Sequence, residues 1–325
     1  MTMMQICPQR RRTGAWIAIA VAICVAIGSG HHARAATPAA PSAASAVTPD
    51  RFSVEVMGEG PDVILIPGLA SPREVWRPTA EALKAHYRLH LVQLRGFGEA
   101  AGANASGPVL APTVAALARY IADNQLRRPA VVGHSLGGLA AMMLAADHPE
   151  AVGRLMVVDA VPFIGTLFDP SATVEAMAPR AEAMRAMLMA QAAARKGQPP
   201  APASDCGALT GEAPPVPGAM ARSARAACMV AGWSAAADPQ VMTQAMVDDM
   251  TTDMRPRLSA ITAPLTVVIG QDERVLPPET SLRIYREAYA QARSVTLVPV
   301  ARSAHFVMLD QPEAMLAALQ GFLGS

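Results

Sequence analysis

Six short apolar runs, rich in β-branched residues and each closed by a turn residue, constrain this chain more than any other feature. They cover residues 62–66 before Pro67-Gly68, 89–94 before Arg95-Gly96, 129–132 before Gly133, 155–158 before Asp159, 265–269 before Gly270 and 295–298 before Pro299. Runs this short and this apolar, buried on both faces and separated by helical stretches, specify βαβ units around a mostly parallel sheet. Helical periodicity falls between them over residues 75–85, 113–124, 136–147, 278–290 and 312–323. The fold class is therefore α/β, a central sheet flanked by helices. One interval breaks the rhythm. Residues 161–261 hold no convincing strand, carry much of the methionine, and include the Pro/Gly/Ala-rich stretch 196–218. That interval is expected to be a helical cap at the carboxyl edge of the sheet, where α/β proteins bind ligands, with the core formed by 51–160 and 262–325.

Residues 133–137 read Gly-His-Ser-Leu-Gly, a G-x-S-x-G sequence. Alone this motif is weak. Here it follows the apolar run at Val131-Val132 and opens a helix near Leu136, so the corner would hold Ser135 in strained backbone between two small residues. The helix amino terminus then presents N–H groups to any negative charge that develops beside Ser135.

From residue 62 to residue 323 the chain resembles the α/β-hydrolase superfamily, and Ser135 stands where that family carries its nucleophile. Leu65-Ile66-Pro67-Gly68-Leu69 is similar to the family's oxyanion strand end, with Pro67 in place of the usual His. The resemblance implies an oxyanion hole made of the Leu69 and Leu136 N–H groups. Leu94-Arg95-Gly96-Phe97-Gly98 looks like a structural loop of the family. His305, in Ser-Ala-His-Phe before a Pro-Glu pair, resembles the family's general base. His86, His90, His134 and His148 have plainer explanations, His134 as the variable position of the motif. Three acids stand open as the residue that orients the base: Asp272 by residue type, Glu273 by its spacing to Pro277, and Asp159 at the end of an earlier run. All three precede His305 in the family's Ser–acid–His order.

The resemblance implies a serine hydrolase that cleaves a carboxylic ester through an acyl-enzyme. Lactones, thioesters, amides and C–C bonds remain open, because fold does not fix substrate. A Ser at this position argues against the dehalogenases and epoxide hydrolases of the fold, which use Asp there. A ligand-binding homologue without catalysis is the contrasting class, and an intact Ser–His pair speaks against it. Methionines with Phe163, Phe168 and Trp233 suggest a pocket for a small to medium apolar acyl group. No metal-ligand spacing and no phosphate-cradling Gly loop occurs, so no cofactor is expected.

The remaining expectations concern compartment and partners. Arg10-Arg11-Arg12, an apolar stretch and Ala33-Arg34-Ala35 make a secretory leader of residues 1–35, followed by an uncharged Ala/Pro/Ser linker over 36–50. The apolar run is shorter than the roughly 20 residues of a membrane span, so no stable span is expected after cleavage. Export implies a periplasmic or extracellular protein. Cys206 and Cys228 survive cleavage and would form a disulfide in that setting. Twenty-seven basic residues against 26 acidic ones leave no basic footprint for nucleic acid, and a 52% hydrophobic composition excludes a disordered chain.

Overall fold

The computed structural model describes residues 50–195, 205–216 and 218–324, so the leader, all of the linker but Asp50, and part of the Pro-rich stretch lie outside the described residues. In chain order the elements are β1 (Phe52–Met57), β2 (Asp62–Ile66), α1 (Arg77–Leu83), β3 (Arg88–Leu94), α2 (Leu110–Asp123), β4 (Ala130–His134), α3 (Leu136–Asp147) and β5 (Arg154–Val158). Three helices follow, α4 (Val174–Arg195), α5 (Ala224–Ala236) and α6 (Pro239–Thr251). The chain then returns to the sheet as β6 (Leu265–Gln271), α7 (Pro278–Ala288), β7 (Val295–Ala301), α8 (Val307–Asp310) and α9 (Pro312–Gly324).

The strands form one seven-stranded sheet in the order β1-β3-β2-β4-β5-β6-β7, parallel except for β1. Period-two alternation explains its two layers. Ile64, Ile66, Val131, Leu155, Val157 and Val267 face one core with Leu117, Tyr120, Leu139, Met142 and Tyr289 of α2, α3 and the end of α7. Val63, Leu65, Val132, Met156 and Val158 face the other, with Trp76 just before α1, Leu83 of α1, and Met315 and Leu319 of α9. The α3 helix is apolar all round and buried from Leu136 to Ala145, as a helix enclosed by neighbours must be.

β1 is absent from the sequence expectation. Its residues alternate only partly in burial, and it earns its place by pairing antiparallel with β3, Phe52 opposite Leu94, while the buried Phe52 ring meets Tyr120 edge-on at 5.9 Å. The sheet order reverses around β2, which lies between β3 and β4. The crevice at the carboxyl ends of β2 and β4 is therefore the switch point where ligands bind in doubly wound sheets.

The segment between β5 and β6 is helical, and its described residues contribute one isolated bridge, Glu212 to Ser223. Asp238 caps α6 by accepting from Gln240 and Val241 N–H, and Pro239 at the first turn has no donor to lose. Asp248 accepts the Val109 and Leu110 N–H groups at 2.6 and 2.9 Å, tying α6 to the start of α2. Gly96, at φ +95°, is where α6 lands: a Cβ there would sit 2.7 Å from Val241. Phe163, Met177, Ala181, Met246, Val247 and Met250 form a small core of their own, and Leu69 packs against it. The segment thus rests on the carboxyl end of β2. Trp233 lies elsewhere, beside Phe306 at 6.3 Å, and does not join the Phe163 cluster. Among the described residues no helix is long and apolar enough to cross a membrane.

Candidate active site

Ser135 sits between β4 and α3 at φ 52° and ψ −122°, outside the regions that side chains ordinarily occupy. The surrounding backbone fixes it there. Ser135 N–H donates to Val158 O at 3.0 Å, and its carbonyl accepts from Gly138 and Leu139 N–H at 2.7 and 3.0 Å. The two flanking glycines are sterically obligatory. A Cβ at Gly133 would lie 2.1 Å from Gly137 O, and one at Gly137 would lie 2.5 Å from the carbonyls of Ile66 and Pro67. Such strain costs on the order of 1–3 kcal/mol and is held where it serves a purpose.

The end of β2 closes against this corner. Gly68 can carry no side chain, because a Cβ would stand 3.1 Å from Ser135 Cβ and 2.8 Å from His134 Nδ1. A turn closed by Ser71 N–H on Gly68 O, with Ala70 at φ 55°, leaves the Leu69 N–H outside its own hydrogen bond. Leu136 is the first residue of α3, so its N–H has no acceptor within the helix. The Leu69 and Leu136 N–H groups thus belong to the two segments that meet at the Ser135 corner.

His305 lies between β7 and α8. Its Nδ1 is 2.8 Å from Asp159 Oδ2, with both side chains largely shielded, 22% and 14% exposed. A carboxylate only accepts, so Nδ1 carries the proton and Nε2 is left with a lone pair. The remaining Asp159 oxygen, Oδ1, accepts from Gly270 N–H at 2.9 Å and from the Tyr285 hydroxyl at 3.0 Å. Burial, reinforced by the Asp159 charge, pushes the Tyr285 phenol well above its ordinary range, so it stays a donor. Gly270 is glycine for cause: a Cβ would meet Ala304 O at 2.4 Å.

This arrangement corrects the sequence expectation for the acid. Asp272, the first choice there, is turned away from His305 and clamped by Arg274, whose Nε and Nη2 donate at 2.8 and 2.5 Å, with Arg222 Nη1 at 3.3 Å. The Arg274 hydrogen bonds hold its carboxyl below the usual range. Glu273 is taken by Arg222 Nη1 at 2.8 Å, which lowers it likewise. Both carboxylates are engaged by guanidinium groups, one of them contributed by the distant segment before α5. Asp159, Asp272 and His305 all line one cavity of about 180 Å³, but it is Asp159 that is hydrogen-bonded to the imidazole.

Two positioning features were not read from the sequence. His134 is fully buried, and its Nε2 donates to the His305 carbonyl at 3.0 Å, with ring centroids 4.6 Å apart. Burial, and then the nearby His305, drive its basicity well down, so it is neutral. The second is Asp310, whose carboxylate gathers Ala304 N–H at 3.0 Å, Arg222 N–H at 2.7 Å and Ser223 N–H at 2.9 Å. Phe306 N–H donates to Met220 O at 3.0 Å. The loop bearing His305 is thus stitched to residues 220–223, which in turn precede the helix that carries Cys228. Cys206 and Cys228 are joined in a disulfide. Among the described residues no three His, Cys, Asp or Glu side chains converge as metal ligands.

The sequence profile described as the Alpha/beta hydrolase family matches residues 63–318. A pimeloyl-[acyl-carrier protein] methyl ester esterase of Aeromonas salmonicida is 40% identical over 113 residues, 34% of this chain and 42% of that protein. The alignment therefore spans less than half of that relative's length. A hydrolase from Pseudomonas aeruginosa superposes with a TM-score of 0.63 at 20% identity, covering 84% of this chain and 94% of its own. A thermophilic esterase from Thermogutta terrifontis gives 0.61 at 21% identity, covering 84% and 93%. At these identities the two structures share the fold.

Proposed function

The chain belongs to the alpha/beta hydrolase family, and on that premise we propose that it is a serine hydrolase of carboxylic esters working through Ser135, His305 and Asp159. The observation that carries this reading is the Asp159–His305 hydrogen bond, on the loop that His134 ties to the strained Ser135 corner. Ser135 Oγ attacks the acyl carbonyl and passes its proton to His305 Nε2. Asp159 keeps the imidazole in the required tautomer and stabilises the imidazolium that forms. The charge on the tetrahedral oxygen falls to the Leu69 and Leu136 N–H groups, each worth about 2.7–4 kcal/mol in a preorganised hole. His305 then protonates the departing alkoxide, leaving an acyl-Ser135. Water, deprotonated by the same nitrogen, returns the enzyme and a carboxylic acid. The ester-cleaving relative named above uses the same acyl carbonyl chemistry and supports an ester as the first substrate class. The helices over the β2 end, with Phe163, Met246 and Met250 beside Leu69, act as a cap that shapes an apolar acyl site.

We place the working protein outside the cytosol, in the periplasm or beyond it. The basic, apolar, Ala-x-Ala start and the Cys206–Cys228 bond support that compartment. A fluorophosphonate probe and a panel of p-nitrophenyl esters test the reaction together. Labelling at Ser135 and ester turnover, both lost in Ser135→Ala by about 10⁴-fold or more, are the expected results. Turnover within tenfold of wild type in that variant would refute the assignment.

A further inference from the structure

A second buried carboxylate shares the cavity of the Asp159–His305 pair. Gly270 donates its N–H to Asp159 and lies against the Ala304 carbonyl, and Gln271 O accepts the Ser303 N–H at 3.2 Å. Asp272 follows directly, on the wall of the cavity that Asp159 and His305 also line. Its side chain is only 6% exposed. Left unpaired, a carboxylate so shielded would act on the imidazole through a weakly screening medium and favour its protonated form. Two arginines prevent this. Arg274 Nε and Nη2 meet the two Asp272 oxygens at 2.8 and 2.5 Å, and Arg222 Nη1 adds a contact at 3.3 Å. Glu212 anchors both from the cap arm, accepting from Arg222 Nε at 2.9 Å and Arg274 Nη1 at 2.8 Å.

We propose that Arg222 and Arg274 are positioning residues of the reaction: they confine and neutralise Asp272, so that Asp159 alone orients His305 and sets its basicity. This rests on the ester-hydrolase reading and adds a control on its base. Within the cluster, Arg222, Arg274 and Arg302 balance Glu212, Asp272 and Glu273. The other groups around His305 do not supply that balance. His134 at the end of β4 is neutral, and Tyr285 of α7 stays protonated against Asp159. Asp310 of α8 is taken up by three N–H groups. Asp249 of α6 also acts on the His305 charge and is unchanged in every variant below. The Glu273 side chain is 44% exposed, so solvent screens it.

The test measures the base in Arg274→Met and Arg222→Met, each alone and combined with Asp272→Asn. Removing either cation leaves the cluster one negative charge in excess, while the Arg222→Met backbone keeps its N–H for Asp310. The acidic limb of kcat/KM for a p-nitrophenyl ester reports the base of the free enzyme. It should move up by about half a pH unit or more in the single variants and return when Asp272→Asn restores the balance. A limb within about 0.2 unit of wild type in the single variants overturns the proposal. So does a shift that Asp272→Asn leaves in place, because a merely structural loss would not be cancelled by removing a charge. If one arginine variant does not fold, the other carries the same comparison. Failure of the underlying reading shows differently, as wild type without ester turnover and Ser135 escaping the fluorophosphonate. Proton NMR titration of the His305 ring, assigned with His305→Gln, then decides the proposal by the same shift and the same return.

Discussion

Asp159→Asn is the substitution for which this structure makes the most specific demand. The two oxygens of Asp159 have unequal surroundings: Oδ1 accepts from Gly270 N–H and Tyr285 O–H, while Oδ2 faces His305 Nδ1. An asparagine has one acceptor and one donor end. Its oxygen must stay where two donors converge, because the reverse orientation would set an amide NH₂ against both. The NH₂ then points at His305 Nδ1, which has to become the acceptor, and the ring proton moves to Nε2. A base protonated at Nε2 cannot take the Ser135 proton. The expected loss is about 10⁴-fold in kcat, or about 5.4 kcal/mol of transition-state stabilisation, with folding and Ser135 geometry intact. Stopped assays with a p-nitrophenyl ester give the rate, and near-ultraviolet circular dichroism checks the fold. Asp272→Asn and Glu273→Gln, measured beside it, should stay within about tenfold of wild type, since each only loosens an arginine clamp. If Asp159→Asn retains a tenth of the activity while Asp272→Asn loses a thousandfold, the orientation argument is wrong.

His134 makes a pH-dependent contribution with a defined sign. Its folded-state pKa lies below that of the unfolded chain, so the unfolded state binds the proton more readily and stability is lost as pH falls below about 6.5, by up to about 1.4 kcal/mol per unit. His134→Gln keeps a donor for the His305 carbonyl and should flatten the urea-unfolding free energy between pH 4.5 and 6.5 by one proton's worth; an unchanged slope would contradict the buried neutral ring. Reducing the Cys206–Cys228 bond should lower the stability of the segment it closes by roughly 3 kcal/mol on the chain-entropy argument, open the stretch between Arg195 and Gly218 to proteolysis, and leave the sheet intact. Two thiols alkylated without prior reduction of periplasmic material would end that expectation.

The sheet was legible because a buried parallel strand has to be apolar on both faces, and residues 62–66 or 155–158 admit no other reading. Ser135 was legible for a related reason: the strained corner restricts its flanks to Gly133 and Gly137, which leaves a signature in the sequence, whereas His305 was named through the family resemblance of its His-Phe before a Pro-Glu pair. β1 was not, since an edge strand with one wet face needs no continuous apolar run. The acid was misjudged because the local string Gln271-Asp272-Glu273-Arg274 looks the same whether its carboxylates face the imidazole or an arginine. Arg274, two residues on, was a legible warning. Arg222, 50 residues away, could be found only in three dimensions. The feature that selects Asp159 is equally non-local: Tyr285 and Gly270 converge on it from two elements that meet only once the sheet has formed.

Asp310 has a consequence for how the cap and the chemistry are coupled. Its carboxylate holds Ala304, next to the catalytic imidazole, in the same grip as Arg222 and Ser223 at the foot of α5. The arm of the cap and the base loop therefore share one fastening. On the proposed reaction, a substitution that removes the Asp310 carboxylate is therefore expected to loosen the base loop and the segment before α5 together.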